Sequence, residues 1–241
     1  MSNVATIFRR EFQAYFDSSI AYIFMIVFLL SSTWLFMAGF FLSGLADMRG
    51  YFDMLPWFAL FFLPAVSMRL WSEDLRTGTM ELLMTLPMRT WELVLGKYFA
   101  ALAFFSITLA GTLVIPIVLA LIGDPDTGAI VGGYLAGILL GGFYLAVGIF
   151  VSGLFKDQIA AFVVSLMLCL FFYFSGTGIV VATTDGWIHG LGTFLERNIA
   201  VTSHFAEIQR GIVDLSNLAY FISMTALFLV LNTLSLEGRR F

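Results

Sequence analysis

The chain has 241 residues, 60% of them hydrophobic and only 12% charged, with 27 phenylalanines. Soluble domains average about 25% charged residues, so the composition excludes an ordinary soluble protein and points to one built for lipid. The formal net charge of −4 comes with no basic patch, which excludes a nucleic-acid surface.

Residues 1–18 come first. Val4, Ile7, Phe8, Phe12, Tyr15 and Phe16 fall on one half of a helical wheel, and Arg9, Arg10, Gln13 and Asp17 on the other. This pattern predicts an amphipathic helix lying along the inner membrane surface. Arg9, Arg10 and Glu11 precede the apolar run and no clear small-residue cleavage site follows it, so the segment does not read as a signal peptide.

Uncharged stretches locate the membrane spans. They cover 18–46, 98–123, 127–155, 158–184 and 215–236, each sufficient for the roughly 20 residues a spanning helix needs. A sixth, 54–68, is short. It becomes adequate if Arg69 snorkels and Leu70 and Trp71 carry the helix to the interface. The expected spans are therefore 19–44, 54–71, 98–122, 129–155, 158–182 and 216–236, an all-α integral membrane fold with six transmembrane helices.

Six spans put both ends on one side. That side holds Arg9, Arg10, Arg69, Arg76, Arg89, Lys97, Lys156, Arg239 and Arg240, against Arg49, Arg197 and Arg210 on the other. The bias predicts cytoplasmic termini and a cytoplasmic 72–96 segment in the inner membrane.

That segment lies in the stretch from Arg69 to Lys97, which holds eight of the 28 charged residues. Met80, Leu82, Leu83, Met84 and Leu86 set a dense apolar cluster among the charges. Gly78 and Thr79 can start a short helix, Glu81 suits its first turn and Pro87 limits its end. Leu82 and Leu83 beside Glu81 form an apolar patch bordered by charge, the composition of a surface that another protein covers.

Further along, Pro116 predicts a kink in the third span. Gly133, Gly137 and Gly141, spaced by four, predict a helix face that packs closely on a neighbour. Cys169 is the only cysteine, so no intrachain disulfide forms. Residues 183–215 are too apolar for a solvated loop. Trp187, Ile188, Leu191, Phe194 and Leu195, then Phe205, Ile208, Ile212 and Val213, are spaced for short amphipathic helices half-buried on the outer side. His204 and Glu207 stand three apart, as metal ligands on a helix can. No second ligand pair accompanies them, and an ordinary polar face, or a pair between Glu207 and Arg210, accounts for the spacing as well.

The run S-E-D-L-R-T-G-T-M-E-L-L-M-T-L-P, Ser72 to Pro87, followed by W-E-L-V-L-G-K, Trp91 to Lys97, resembles the signature of ABC-2 type permeases, the membrane subunits of ATP-binding-cassette exporters. The tail F-A-E-I-Q-R-G-I-V-D-L-S-N-L-A-Y-F, Phe205 to Phe221, with L-E-G-R-R, Leu236 to Arg240, is similar to the gliding-motility-type branch. The resemblance implies an N-terminal connecting helix (1–18), a coupling helix seated in a groove of the ATPase, and short re-entrant helices before the sixth span. It assigns ATPase docking to Glu73, Asp74, Arg76, Thr77, Gly78, Thr79, Glu81, Leu82, Leu83, Thr85 and Pro87. It also implies a second permease subunit, identical or related, two ATPase subunits, and work on a cargo or on an extracytoplasmic accessory protein.

No motor is visible in the chain. A P-loop needs G-x-x-x-x-G-K-[ST], whereas the only Gly-Lys, Gly96 and Lys97, is followed by Tyr98 and preceded at the required place by Trp91. ATP and its magnesium are thus expected on a partner chain, with no catalytic residue and no cofactor here. The rival classes are a membrane-embedded enzyme and an ATPase-independent channel or ion-coupled transporter. Both call for polar groups at membrane depth, and the spans contain no Asp, Glu, Lys, Arg or His apart from Arg69 near an end.

Overall fold

The structure is a computed structural model that describes residues 3–43, 47–85, 88–123 and 125–238. Every regular element among them is helical. In chain order they are α1 (Asn3–Asp17), α2 (Ser19–Ser43), α3 (Arg49–Ser67), α4 (Arg69–Thr77), α5 (Thr79–Thr85), α6 (Thr90–Ala110), α7 (Val114–Ile122), α8 (Thr127–Ser152), α9 (Gln158–Phe174), α10 (Gly178–Trp187), α11 (Leu191–Asn198), α12 (Val201–Gln209) and α13 (Leu215–Glu237).

Five helical stretches are long and apolar enough to cross a membrane: Ser19–Phe41, Arg49–Thr77, Thr90–Ile122, Thr127–Ser152 and Leu215–Glu237. Gln158–Phe174 and Gly178–Trp187 make a sixth crossing only if taken together, across a bend of 78°.

Several helices start at an aspartate. Asp126 accepts from the N–H groups of Gly128 and Ala129, Asp157 from Ile159 and Ala160, and Asp214 from Ser216. Each carboxylate satisfies amides that the first turn leaves without a partner. This is why α8, α9 and α13 begin within two residues of the charge boundaries.

At three places the spans depart from those intervals. The helix containing α3 begins at Arg49, not 54, because its charges lie at a polar end: Gln209 donates to Asp53 at 2.6 Å and Arg49 stands 3.7 Å from Asp126. The third span begins at Thr90, so Trp91 to Lys97 form two helical turns rather than a linker. The fifth expected span, 158–182, stops at Phe174. The chain turns there because Gly176 lies close under α12: a Cβ on it would meet Thr202 Oγ1 at 2.4 Å and the Ala200 methyl at 2.6 Å.

In the third span the α-helix tightens into a 3₁₀ turn over Gly111–Leu113. Pro116 has no N–H for the Thr112 carbonyl four residues back, and its ring crowds that oxygen.

The helix α8 is the centre of the bundle, packed by α3, α6, α9 and α13 along its length and by α12 near its start. Its glycines allow that approach. A Cβ on Gly133 would enter the Phe52 ring, one on Gly137 would meet Leu55 at 2.7 Å, and one on Gly141 would lie 2.1 Å from the Phe105 ring. In lipid no hydrophobic driving force holds helices together, so such close contact supplies the attraction. Gly141→Leu should therefore cost about 1–3 kcal/mol of stability, read as a lower thermal midpoint in detergent. Gly39→Ala, at a site with nothing within 4 Å, is the control and should not lower the midpoint.

Candidate functional site

The segment read as a docking surface forms two short helices. After α4, Gly78 takes a left-handed conformation (φ +75°), which glycine adopts without the Cβ clash other residues suffer. The chain turns sharply into α5. Thr79 donates to Asp74 Oδ1 at 2.8 Å, bracing that turn from across it.

Behind the turn lies a buried lysine. Lys97 is 2% exposed; its ammonium donates to the Leu70 carbonyl at 2.7 Å and to Asp74 Oδ2 at 2.8 Å, and it forms an ion pair with Glu11 Oε1 at 3.2 Å. Two hydrogen bonds and two counter-charges thus surround the ammonium. The charge also lies 4.7 Å from the centroid of the Trp71 ring, a favourable cation–π position. Arg10 pairs with Glu11 in turn. One side chain of α6 thereby joins α1 and α4.

Other contacts fix the same junction. Ser152 of α8 accepts from the N–H groups of Trp71 and Ser72 and donates to the Met68 carbonyl at 2.7 Å, stitching the joint between α3 and α4. Tyr15 is buried, stacks on Phe104 with centroids 4.8 Å apart, and donates to the Val66 carbonyl. Burial pushes its hydroxyl pKa up, with nearby Arg69 pulling the other way. Along α1, Ile7 and Tyr15 are buried and Val4, Phe8, Phe12 and Phe16 half-buried, while Arg9, Arg10, Gln13 and Asp17 are exposed. Gly96 makes the contact close: a Cβ there would lie 2.6 Å from Ile7.

The expected docking residues divide between two faces. Arg76, Thr77, Gly78, Glu81, Leu82 and Thr85 are exposed, Leu82 by 68%. Asp74 and Thr79 turn inward to the lysine network, and Glu73 is exposed on the side of α4 that faces α1. Leu83, paired with Leu82 in the sequence reading, is only 6% exposed. It lies on the inner face with Met80, three residues earlier, because helix neighbours at i and i+3 share a side and adjacent residues do not. Pro87 lies outside the described residues.

Lys97, Glu11, Trp71 and Ser152 escaped the sequence reading. One signal was present. Lys97 falls on the face of α6 that carries Leu93, Ala101 and Phe104, all apolar, which marks a lysine turned inward.

At the opposite end of the bundle, His204 and Glu207 meet through Asn217. Its amide nitrogen donates to Glu207 Oε2 at 2.7 Å, and its oxygen faces His204 Nδ1 at 2.6 Å. His204 stacks on Tyr220, and its other nitrogen faces the Arg197 carbonyl at 3.1 Å. Among the described residues no group of three or more His, Cys, Asp or Glu is placed to hold a metal. The apolar residues of this region also split: Phe205 and Ile208 are buried, whereas Trp187, Phe194, Ile212 and Val213 are exposed.

A family model described as "ABC-2 family transporter protein" matches residues 48–236. No curated protein matches the chain.

The lysine network carries a direct test. Lys97→Met leaves Glu11 and Asp74, largely buried at 13% and 19% exposure, without the cation they share. The loss should reach about 2–4 kcal/mol, below the full cost of breaking a deeply buried pair because both partners keep some solvent. Hydrogen exchange of α1 should rise in parallel. Adding Glu11→Gln and Asp74→Asn to Lys97→Met should recover most of the loss; unchanged exchange in Lys97→Met would mean the cluster does not hold α1.

Proposed function

Because the chain belongs to the ABC-2 family of transporter proteins, a family of multi-pass membrane subunits that are not themselves catalytic, we propose that it is the permease half of an ABC exporter and that α5 is where the ATPase docks. Two such permease subunits and two ATPase subunits form the working unit. The termini and the end bearing α1, α4 and α5 lie in the cytoplasm, with α1 as the connecting helix at the inner surface of the membrane.

The observation that carries this reading is the asymmetry of α5. Its outer side offers Glu81 and Leu82 to a partner, and its inner side is anchored through Met80 and Leu83. A small apolar residue bordered by charge suits a compact interface centre. The anchored back suits transmission. A push on α5 reaches α4 through the Gly78 turn and the Thr79–Asp74 bond, and from α4 it passes to α1 and α6 at Lys97 and to α8 at Ser152. Since α4 continues α3 through a helical Met68, the same push enters a membrane span directly.

The basic residues support the orientation. Among the described residues, Arg9, Arg10, Arg69, Arg76, Arg89, Lys97 and Lys156 lie towards the α5 end of the bundle and Arg49, Arg197 and Arg210 towards the other, the bias that keeps positive loops inside. The likeness of the tail to gliding-motility-type permeases favours a complex that spends ATP on exporting a substrate or on moving an extracytoplasmic accessory protein.

Glu81→Lys tests the docking role. It reverses the charge at the exposed tip and can cost several kcal/mol at an interface, while Glu81 makes no ion pair among the described residues that the change would break. The variant should insert and dimerise normally yet lose its co-purifying ATPase, or retain it with hydrolysis uncoupled from work. A tightly bound, fully coupled ATPase in Glu81→Lys would rule out α5 as the docking element.

A further inference from the structure

A cleft of about 480 Å³ opens between α1 and α4, on the side of α4 turned away from the tip of α5. Tyr15, Ser18, Arg69, Leu70 and Glu73 line it, with the lysine network along its wall. Lining charges balance, Arg10, Arg69 and Lys97 against Glu11, Glu73 and Asp74.

Most of those charges are already committed. Lys97 holds Glu11 and Asp74, and Arg10 pairs with Glu11. Two are not. Arg69 donates to the Ser18 hydroxyl at 3.0 Å and lies 5.3 Å from the Tyr15 ring centroid, with no carboxylate within 4 Å among the described residues. Glu73 likewise forms no ion pair among them. Four apart on α4, the two share a helix face and stand where ion pairs commonly form. Here the guanidinium turns to Ser18 and Tyr15 instead, which leaves a gap between a free cation and a free anion.

Depth identifies what fills such a gap. Arg69 is the first charge after the apolar run 54–68, and Ser18 is the single residue joining α1 to the apolar α2. Two independent chain crossings of the membrane boundary thus set the cleft at the level of lipid headgroups. A guanidinium matches a phosphate diester with paired hydrogen bonds. A carboxylate one helical turn away matches an ammonium. A headgroup of net negative charge would meet Glu73 with nothing to offset it, beside Glu11 and Asp74.

We propose that this cleft binds the headgroup of a bilayer phospholipid carrying both groups, a phosphate diester on Arg69 and a primary ammonium on Glu73, as in phosphatidylethanolamine. The bound lipid fills the wedge between α1 and α4 while its chains remain in the bilayer along α2.

Native mass spectrometry of the full-length chain, purified in mild detergent with whatever subunits accompany it, tests this after equilibration with equal amounts of phosphatidylethanolamine and phosphatidylglycerol. Wild type should retain one phosphatidylethanolamine per chain in preference to phosphatidylglycerol. Arg69→Gln should lose retention about tenfold, the scale of one charge-assisted contact. Glu73→Gln should keep a lipid but no longer prefer phosphatidylethanolamine. Equal retention of both lipids by wild type, or wild-type retention by Arg69→Gln, would overturn the proposal. If Arg69→Gln does not fold, Glu73→Gln decides alone, an unchanged preference counting against the site. Displacement by soluble glycerophosphoethanolamine at matched concentration would assign the site to a free phosphoester and refute the bilayer source.

Discussion

One buried ammonium organises the polar end of this protein. Taking a lysine charge out of water is costly, and the cost is met only where hydrogen bonds and counter-charges surround the ion. At Lys97 the partners come from two other helices: Glu11 from α1 as a counter-charge, and Asp74 with the Leu70 carbonyl from α4 as acceptors. None of the three helices can shift far without leaving a buried charge exposed to an apolar neighbour. The N-terminal helix α1, the helix α4 and the start of α6 are therefore tied together. In the proposed transporter, that junction is what an ATPase pushes.

The membrane-embedded part is held by a different principle. Along α8, Phe52, Leu55 and Phe105 are seated on Gly133, Gly137 and Gly141, with no charge in those three contacts. Close packing is selective about shape and indifferent to sign, whereas the Lys97 cluster is selective about charge and position. In the proposed transporter, a push entering through α4 passes from a polar joint fixed by charge into an apolar bundle fixed by shape. Ser152 stands at the boundary, a serine of α8 hydrogen-bonded to the backbone on both sides of the joint between α3 and α4.

Charge intervals in the sequence located the apolar runs well, because aspartates that end an interval also cap the next helix, as at Asp126, Asp157 and Asp214. Intervals misled wherever a charge was itself part of a helix. Asp53 and Arg49 extend α3 outward, and Lys97 lies inside α6 with its charge satisfied by residues 86 and 23 positions away. Such partners are set by tertiary contact and leave no local pattern. The break after Phe174 was missed because no charge interrupts 158–184, although Ser175, Gly176, Thr177 and Gly178 form a small polar cluster of the kind that marks a turn. In the candidate site the sequence singled out the segment but not its two faces. The short α5 offers too few turns for a periodic stripe to emerge, so Leu82 and Leu83 looked equivalent.

The central claim, that α5 meets the ATPase with its Leu82 side and meets its own fold with its Leu83 side, is open to one direct measurement. A photoreactive amino acid is placed at position 82 or 83 of the full-length chain in cells, and the adducts formed on illumination are identified by mass spectrometry. The account predicts that position 82 captures a chain bearing a nucleotide-binding domain and that position 83 gives no such adduct. Capture of that chain from position 83 with none from position 82 would contradict it.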